Sequence, residues 1–267
     1  MPKLWLFGDS FGSVDVKDYT ARQWPLQLSH RLGYDLKNFS LAGSSQDYTW
    51  FQIHQNVDSI QPEDQLVVIM TSPNRVWLFD RYPNITNPQH IADAIEPYQR
   101  KVWETYFKHI QRDSIDTMNV KNRLGWLNHM STIHHWARPL IVFAFEQDYG
   151  NSTDYPGLEF SQGNLAENVQ IKEFTDPKAL LLLRGADPRY NHMCLSNHDR
   201  LVDKLANTIL NQEPLDLVNG FLQSILNTDS LKNNKLVEAE LSPLEYKRYL
   251  ATFANPHWDN FVQTLRI

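Results

Sequence analysis

The sequence predicts an α/β protein built on a doubly wound, largely parallel sheet. Short continuous apolar runs bounded by turn residues recur along the chain, as strands buried on both faces require. Segments with helical apolar spacing lie between them, giving a β-α-β-α order. Right-handed crossovers then place helices on both sides of the sheet.

The clearest strand candidates are Leu4–Phe7, Leu66–Met70 and Leu140–Phe145, with Leu36–Leu41 as a weaker fourth. Helical spacing covers Trp24–Leu32, Tyr48–Val57, Pro97–His109 and Met118–Trp136. From Gly150 to Lys178 the chain is polar with little periodicity, which reads as a long connection forming one wall of a substrate groove. Ala179–Leu183 fits a last strand or a helix end. Ser196, followed three residues later by Asp199, marks a helix start running to about Leu210. The sheet domain is therefore expected over residues 1–212. A C-terminal helical extension is expected over 213–267, with segments near Leu215–Leu226 and after the Ser242-Pro243 and Asn255-Pro256 starts, where a capping residue precedes proline.

At 267 residues the chain can bury a core without metals or disulfides. Its 42% hydrophobic and 21% charged residues are ordinary for a folded protein, excluding disordered and fibrous classes. A net charge of -6 argues against a phosphate-neutralising surface, so no nucleic-acid partner is expected. Cys194 is the only cysteine, which rules out an intrachain disulfide and a thiolate cluster from one chain. The first apolar run is too short for a secretory signal, and no run reaches transmembrane length. The expectation is a soluble cytoplasmic or virion-associated protein, with the Asn84–Thr86 glycosylation match a chance one.

The chemistry centres on Gly8-Asp9-Ser10-Phe11-Gly12, directly after the first strand. That position is the carboxyl end of a strand, where open α/β sheets bind ligands, and it suits a nucleophile. Flanking glycines allow close backbone approach, and the Ser10 N–H can donate to a developing oxyanion. Neither the spacing of a dinucleotide fingerprint nor the lysine of a P-loop accompanies the motif.

Four blocks in order resemble those of the SGNH (GDSL-like) hydrolase family. They are Phe7-Gly8-Asp9-Ser10, Gly43 within Asn38–Ser45, Asn74 within Met70–Arg75, and His192 with His198 six residues on. The resemblance spans roughly residues 3 to 210. It implies a flavodoxin-like three-layer α/β/α sandwich and a serine esterase in which Ser10 is the nucleophile and His192 the general base. It also implies an oxyanion hole from the Ser10 N–H, the Gly43 N–H and the Asn74 side chain. No cofactor is expected, and the implied partner is a small-molecule or glycan ester, with a short acyl or acetyl group preferred.

Two positions depart from the family pattern. Arg189 stands where the family's acid lies, leaving Asp187 or a backbone carbonyl to orient His192. The third block has Ser72 and Arg75 in place of its usual glycine and aspartate. Two alternatives share the scaffold: an acyltransferase using the same serine, and a non-catalytic binding or assembly protein. His134-His135 and His198 read as structural, Cys194 as non-nucleophilic, and Trp77 and Tyr82 as possible walls of an acyl or sugar pocket.

Overall fold

Alternate side chains of the central strands enter two separate apolar clusters, one on each face of the sheet. The computed structural model describes residues 1–14, 23–77, 97–145, 149–168, 193 and 195–221. In β1 (Lys3–Phe7), Leu4 and Leu6 join one cluster, and Trp5 and Phe7 the other. In β3 (Gln65–Met70) the division is Val67 and Ile69 against Leu66, Val68 and Met70. In β4 (Leu140–Phe143) it is Leu140 and Val142 against Ile141 and Phe143. Double-sided burial explains why these strands read as unbroken apolar runs.

Helices cover both faces. On the first, α1 (Trp24–Leu32) contributes Trp24 and Leu28, and α6 (Leu195–Asn211) contributes Leu201 and Leu205. On the second, α2 (Gln46–Asn56) contributes Trp50 and Ile53, and α4 (Asp113–Ile133) contributes Val120, Leu124 and Leu127. Helix α3 (Pro97–His109) precedes α4. With β2 (Asp35–Asn38) and β5 (Glu159–Asn164), the strand order is β2-β1-β3-β4-β5, and every pair is parallel. This is the flavodoxin-like order, whose direction of winding reverses between β1 and β3.

The amino edge of the sheet is fastened by the buried carboxylate of Asp64. Its Oδ1 accepts from the Lys3 N–H at 2.7 Å, and its Oδ2 from Trp5 Nε1 at 2.7 Å and the Gln61 N–H at 3.0 Å. A buried carboxylate is tolerable when its lone pairs are used in this way.

Several boundaries differ from the periodicity reading. Helix α2 begins at Gln46 rather than Tyr48, because the Ser45 side chain caps it by accepting from the Tyr48 N–H at 3.3 Å. Helix α4 begins five residues before Met118, with Asp113 and Asp116 in a first turn that favours negative charge, and it stops at Ile133. The stretch after Gly150 is not a structureless connection, since it contains β5 and the single helical turn α5 (Leu165–Asn168). Strand β5 has little apolar pattern because polar groups complete its pairing. The Ser161 hydroxyl accepts from the Phe143 N–H at 3.1 Å and donates to the Gly163 carbonyl at 3.0 Å, where the register with β4 shifts.

The helix expected from Leu215 is absent over the described residues 215–221. There, Asp216 forms a parallel bridge with Gln162, and Leu215 and Leu217 are fully buried in the first cluster. Gln162 N–H donates to the Leu215 carbonyl at 2.7 Å, and Leu217 N–H to the Gln162 carbonyl at 2.8 Å. Two leucines at a spacing of two point to the same side of an extended chain, whereas in a helix they would face nearly opposite sides. The Ala179–Leu183 element and the helix starts at Ser242 and Asn255 lie outside the described residues.

Candidate active site

The loop after β1 is shaped by a glycine at its entrance. A Cβ on Gly8 would stand 2.5 Å from Ile69 Cβ and 3.2 Å from the Ile69 carbonyl oxygen, so only glycine lets β1 leave the sheet this close to β3. Asp9, fully buried, accepts from the Phe11 N–H at 3.0 Å through Oδ1, while its backbone carbonyl accepts from the Gly12 N–H at 3.1 Å. These bonds make a tight turn with half-buried Ser10 at its tip. Two more bonds hold the far limb: Trp24 Nε1 donates to the Phe11 carbonyl, and Asn38 Nδ2 to the Gly12 carbonyl, each at 2.7 Å.

The loop after β2 wraps onto the same turn. The Gly8 carbonyl accepts both the Leu41 N–H at 3.0 Å and the Ser44 hydroxyl at 2.9 Å. Residues 41–44 form a turn closed by Ser44 N–H to the Leu41 carbonyl at 3.0 Å, and Gly43 has φ 77° in it. That left-handed value at the third turn position is what a type II turn asks of glycine.

The loop after β3 completes the edge. Thr71 Oγ1 donates to Asp9 Oδ2 at 2.7 Å, and Arg75 Nη1 pairs with the same oxygen at 3.0 Å. Arg75 Nη1 also donates to the Ser44 carbonyl at 3.3 Å, and its guanidinium lies 5.1 Å from the ring centroid of Phe145, beyond β4. Between them, Ser72 Oγ donates to Asn74 Oδ1 at 3.1 Å, which leaves the amide nitrogen of Asn74 as its group for donation.

The structure thus places Ser10, Gly43 and Asn74 in three successive βα loops at one edge of the sheet, around the point where winding reverses. His192 and Asp187 lie outside the described residues, as do Arg189, Cys194 and Tyr82. Met193 is buried in the cluster that holds Phe11 and Trp24, and His198 Nδ1 accepts from the Trp24 N–H at 3.2 Å. His198 therefore caps α1. His134 ends α4 and stacks on Trp136 at 5.3 Å. Trp77 packs against Tyr48 and Phe51 of α2, each at a centroid distance of 5.3 Å. Among the described residues, no cluster of three or more His, Cys, Asp or Glu side chains could hold a metal ion.

Sequence reasoning missed Asn38 and Ser44 as supports of the Ser10 turn, and it took Arg75 only as a departure from a pattern. One signal was present: an aspartate just after a buried strand needs a partner, and Arg75 is a cation in the loop after a neighbouring one.

The fold and this edge define a doubly wound α/β protein of flavodoxin-like order, with the loops after β1, β2 and β3 hydrogen-bonded together at its switch point. No family model matches the sequence, and a search of curated proteins finds no match. Among solved structures the chain is similar to one described as a "putative lipolytic protein of G-D-S-L family" from Desulfitobacterium hafniense DCB-2, at 13% identity and a TM-score of 0.31. The match covers 54% of this chain and 61% of that one. Among the described residues, no helix is long and apolar enough to cross a membrane.

Proposed function

We propose that the protein is a serine hydrolase acting on carboxylic esters, with Ser10 as nucleophile and His192 as general base. The observation that carries this reading is the position of Ser10, at the tip of a turn leaving β1 beside the switch point, with the loops of Gly43 and Asn74 hydrogen-bonded to that turn or to its aspartate. A serine hydroxyl needs an adjacent base, and the imidazole of His192 takes its proton as Oγ attacks the ester carbonyl. The N–H groups of Ser10 and Gly43 and the amide of Asn74 hold the oxyanion. The alcohol leaves with the proton from His192, and water then releases the acyl group by the same steps reversed. Asp187 or a backbone carbonyl orients the imidazole. An acetyl or short acyl ester of a carbohydrate is the favoured substrate.

Labelling with a fluorophosphonate probe tests the assignment. The wild-type protein is expected to label, and the Ser10→Ala and His192→Ala variants to lose labelling while remaining folded. Undiminished labelling of Ser10→Ala would sink the nucleophile assignment. A folded wild-type protein that does not label favours a binding or assembly role instead, for which Arg189 at the usual acid position is the sequence feature. If labelling succeeds, product analysis with sugar acceptors separates hydrolysis from acyl transfer.

A further inference from the structure

Arg75 is the side chain that touches most of the loops around Ser10. Its Nη1 reaches the Asp9 carboxylate at 3.0 Å in the β1 loop and the Ser44 carbonyl at 3.3 Å in the β2 loop. Its Cζ lies 5.1 Å from the centroid of the Phe145 ring in the β4 loop, and its own backbone follows Asn74 in the β3 loop. The guanidinium is only 15% exposed and Asp9 is completely buried, so water competes little with these bonds. Asp9 in turn holds the Phe11 N–H and Thr71 Oγ1, which spreads the constraint to the far limb of the Ser10 turn and to the β3 loop.

We propose that Arg75 is a positioning residue for the ester chemistry: it locks the β1, β2 and β3 loops together so that the donors on Ser10, Gly43 and Asn74 converge on one oxyanion. This rests on the hydrolase reading above. The physical basis is that an oxyanion hole works through preorganised donors, and a displacement of a fraction of an ångström at any of them forfeits much of the stabilisation. One nitrogen that bonds both a carboxylate and a carbonyl, in a rigid cation whose Cζ lies over an aromatic ring, ties three loops through a single group, which a lysine ammonium on its flexible stem holds less firmly. Arg75 touches no reacting atom in this scheme, so its loss should slow turnover without abolishing the nucleophile.

Removing Arg75 alone leaves the buried Asp9 carboxylate uncompensated and endangers folding. The informative variants are therefore Arg75→Lys, which keeps a cation, and the double variant Asp9→Asn with Arg75→Met, which removes both charges. The readouts are p-nitrophenyl acetate hydrolysis and the rate of fluorophosphonate labelling, alongside thermal denaturation. In the folded double variant kcat is expected to fall about 100-fold with KM within about threefold, and Arg75→Lys should restore part of the loss. A folded double variant that turns over and labels at the wild-type rate overturns the positioning role alone. A rise in KM matched by an equal fall in kcat/KM, with kcat unchanged, also overturns it, since it places Arg75 in substrate binding. A wild-type protein that neither labels nor hydrolyses the ester defeats the hydrolase reading itself, and the positioning role with it.

Discussion

The Nδ1 atom of His198, in α6, accepts a 3.2 Å hydrogen bond from the backbone N–H of Trp24 at the first position of α1. Gln23, the residue preceding α1, makes no capping bond through its side chain, so the helix borrows its acceptor from a residue 174 positions away. The same Trp24 holds the Phe11 carbonyl through Nε1, so the start of α6, the start of α1 and the Ser10 turn are mechanically joined. Replacing His198 by Ala should lower stability by about 2 kcal/mol, combining a lost cap with a buried vacancy. His198→Asn, which keeps an acceptor at the δ position, should lose about half as much. Urea denaturation measures both, and equal losses would show that packing rather than the cap matters.

Two glycines with different surroundings should respond differently to alanine. Gly8 has the Ile69 side chain and backbone within 3.2 Å of where a Cβ would lie, whereas Gly33 has open space and a left-handed φ of 68°. Gly8→Ala must push β1 from β3 and should cost about 3 kcal/mol or more. Gly33→Ala pays only for the left-handed backbone, about 1 kcal/mol. Thermal denaturation of the two variants side by side checks this, and similar losses would contradict the steric argument.

Acidification should weaken the fold through His54. Its ring lies 4.1 Å from that of Trp126, and burial, followed by the nearby Arg123 charge, holds its pKa below the usual histidine value. The unfolded chain therefore takes up the proton first as pH falls, so stability declines from the ordinary histidine pKa down to the lowered folded value and levels off below it. His54→Gln should flatten that part of the profile, at and below the ordinary histidine pKa. Parallel profiles for the two proteins would assign the acid sensitivity to other groups.

Much of the sheet was legible because its strands announce themselves locally. Leu4–Phe7, Leu66–Met70 and the start of Leu140–Phe145 became β1, β3 and β4, and Trp24–Leu32 and Pro97–His109 matched α1 and α3 residue for residue. Strand β5 escaped notice because Ser161 and Gly163, rather than apolar alternation, complete its pairing with β4. The extended segment at Leu215–Leu217 was misread because Leu217, Val218, Phe221, Leu222 and Ile225 recur at helical spacing, while the bridge to Gln162 that holds Leu215 and Leu217 extended is a non-local contact.

By itself, the sequence determined the parallel α/β class and the position of Ser10 just past the first strand. Both follow from contiguous residues whose burial pattern and turn chemistry are local. Only the tertiary structure decided how the loop edge is held. The Asp9–Arg75 pair, the Ser44 and Leu41 bonds to Gly8, and the His198 cap on α1 join residues between 33 and 174 positions apart. Such polar contacts carry no periodicity. They exist once the apolar faces of β1, β3 and β4 are buried and the loops between them meet in a place with little water to compete for their hydrogen bonds.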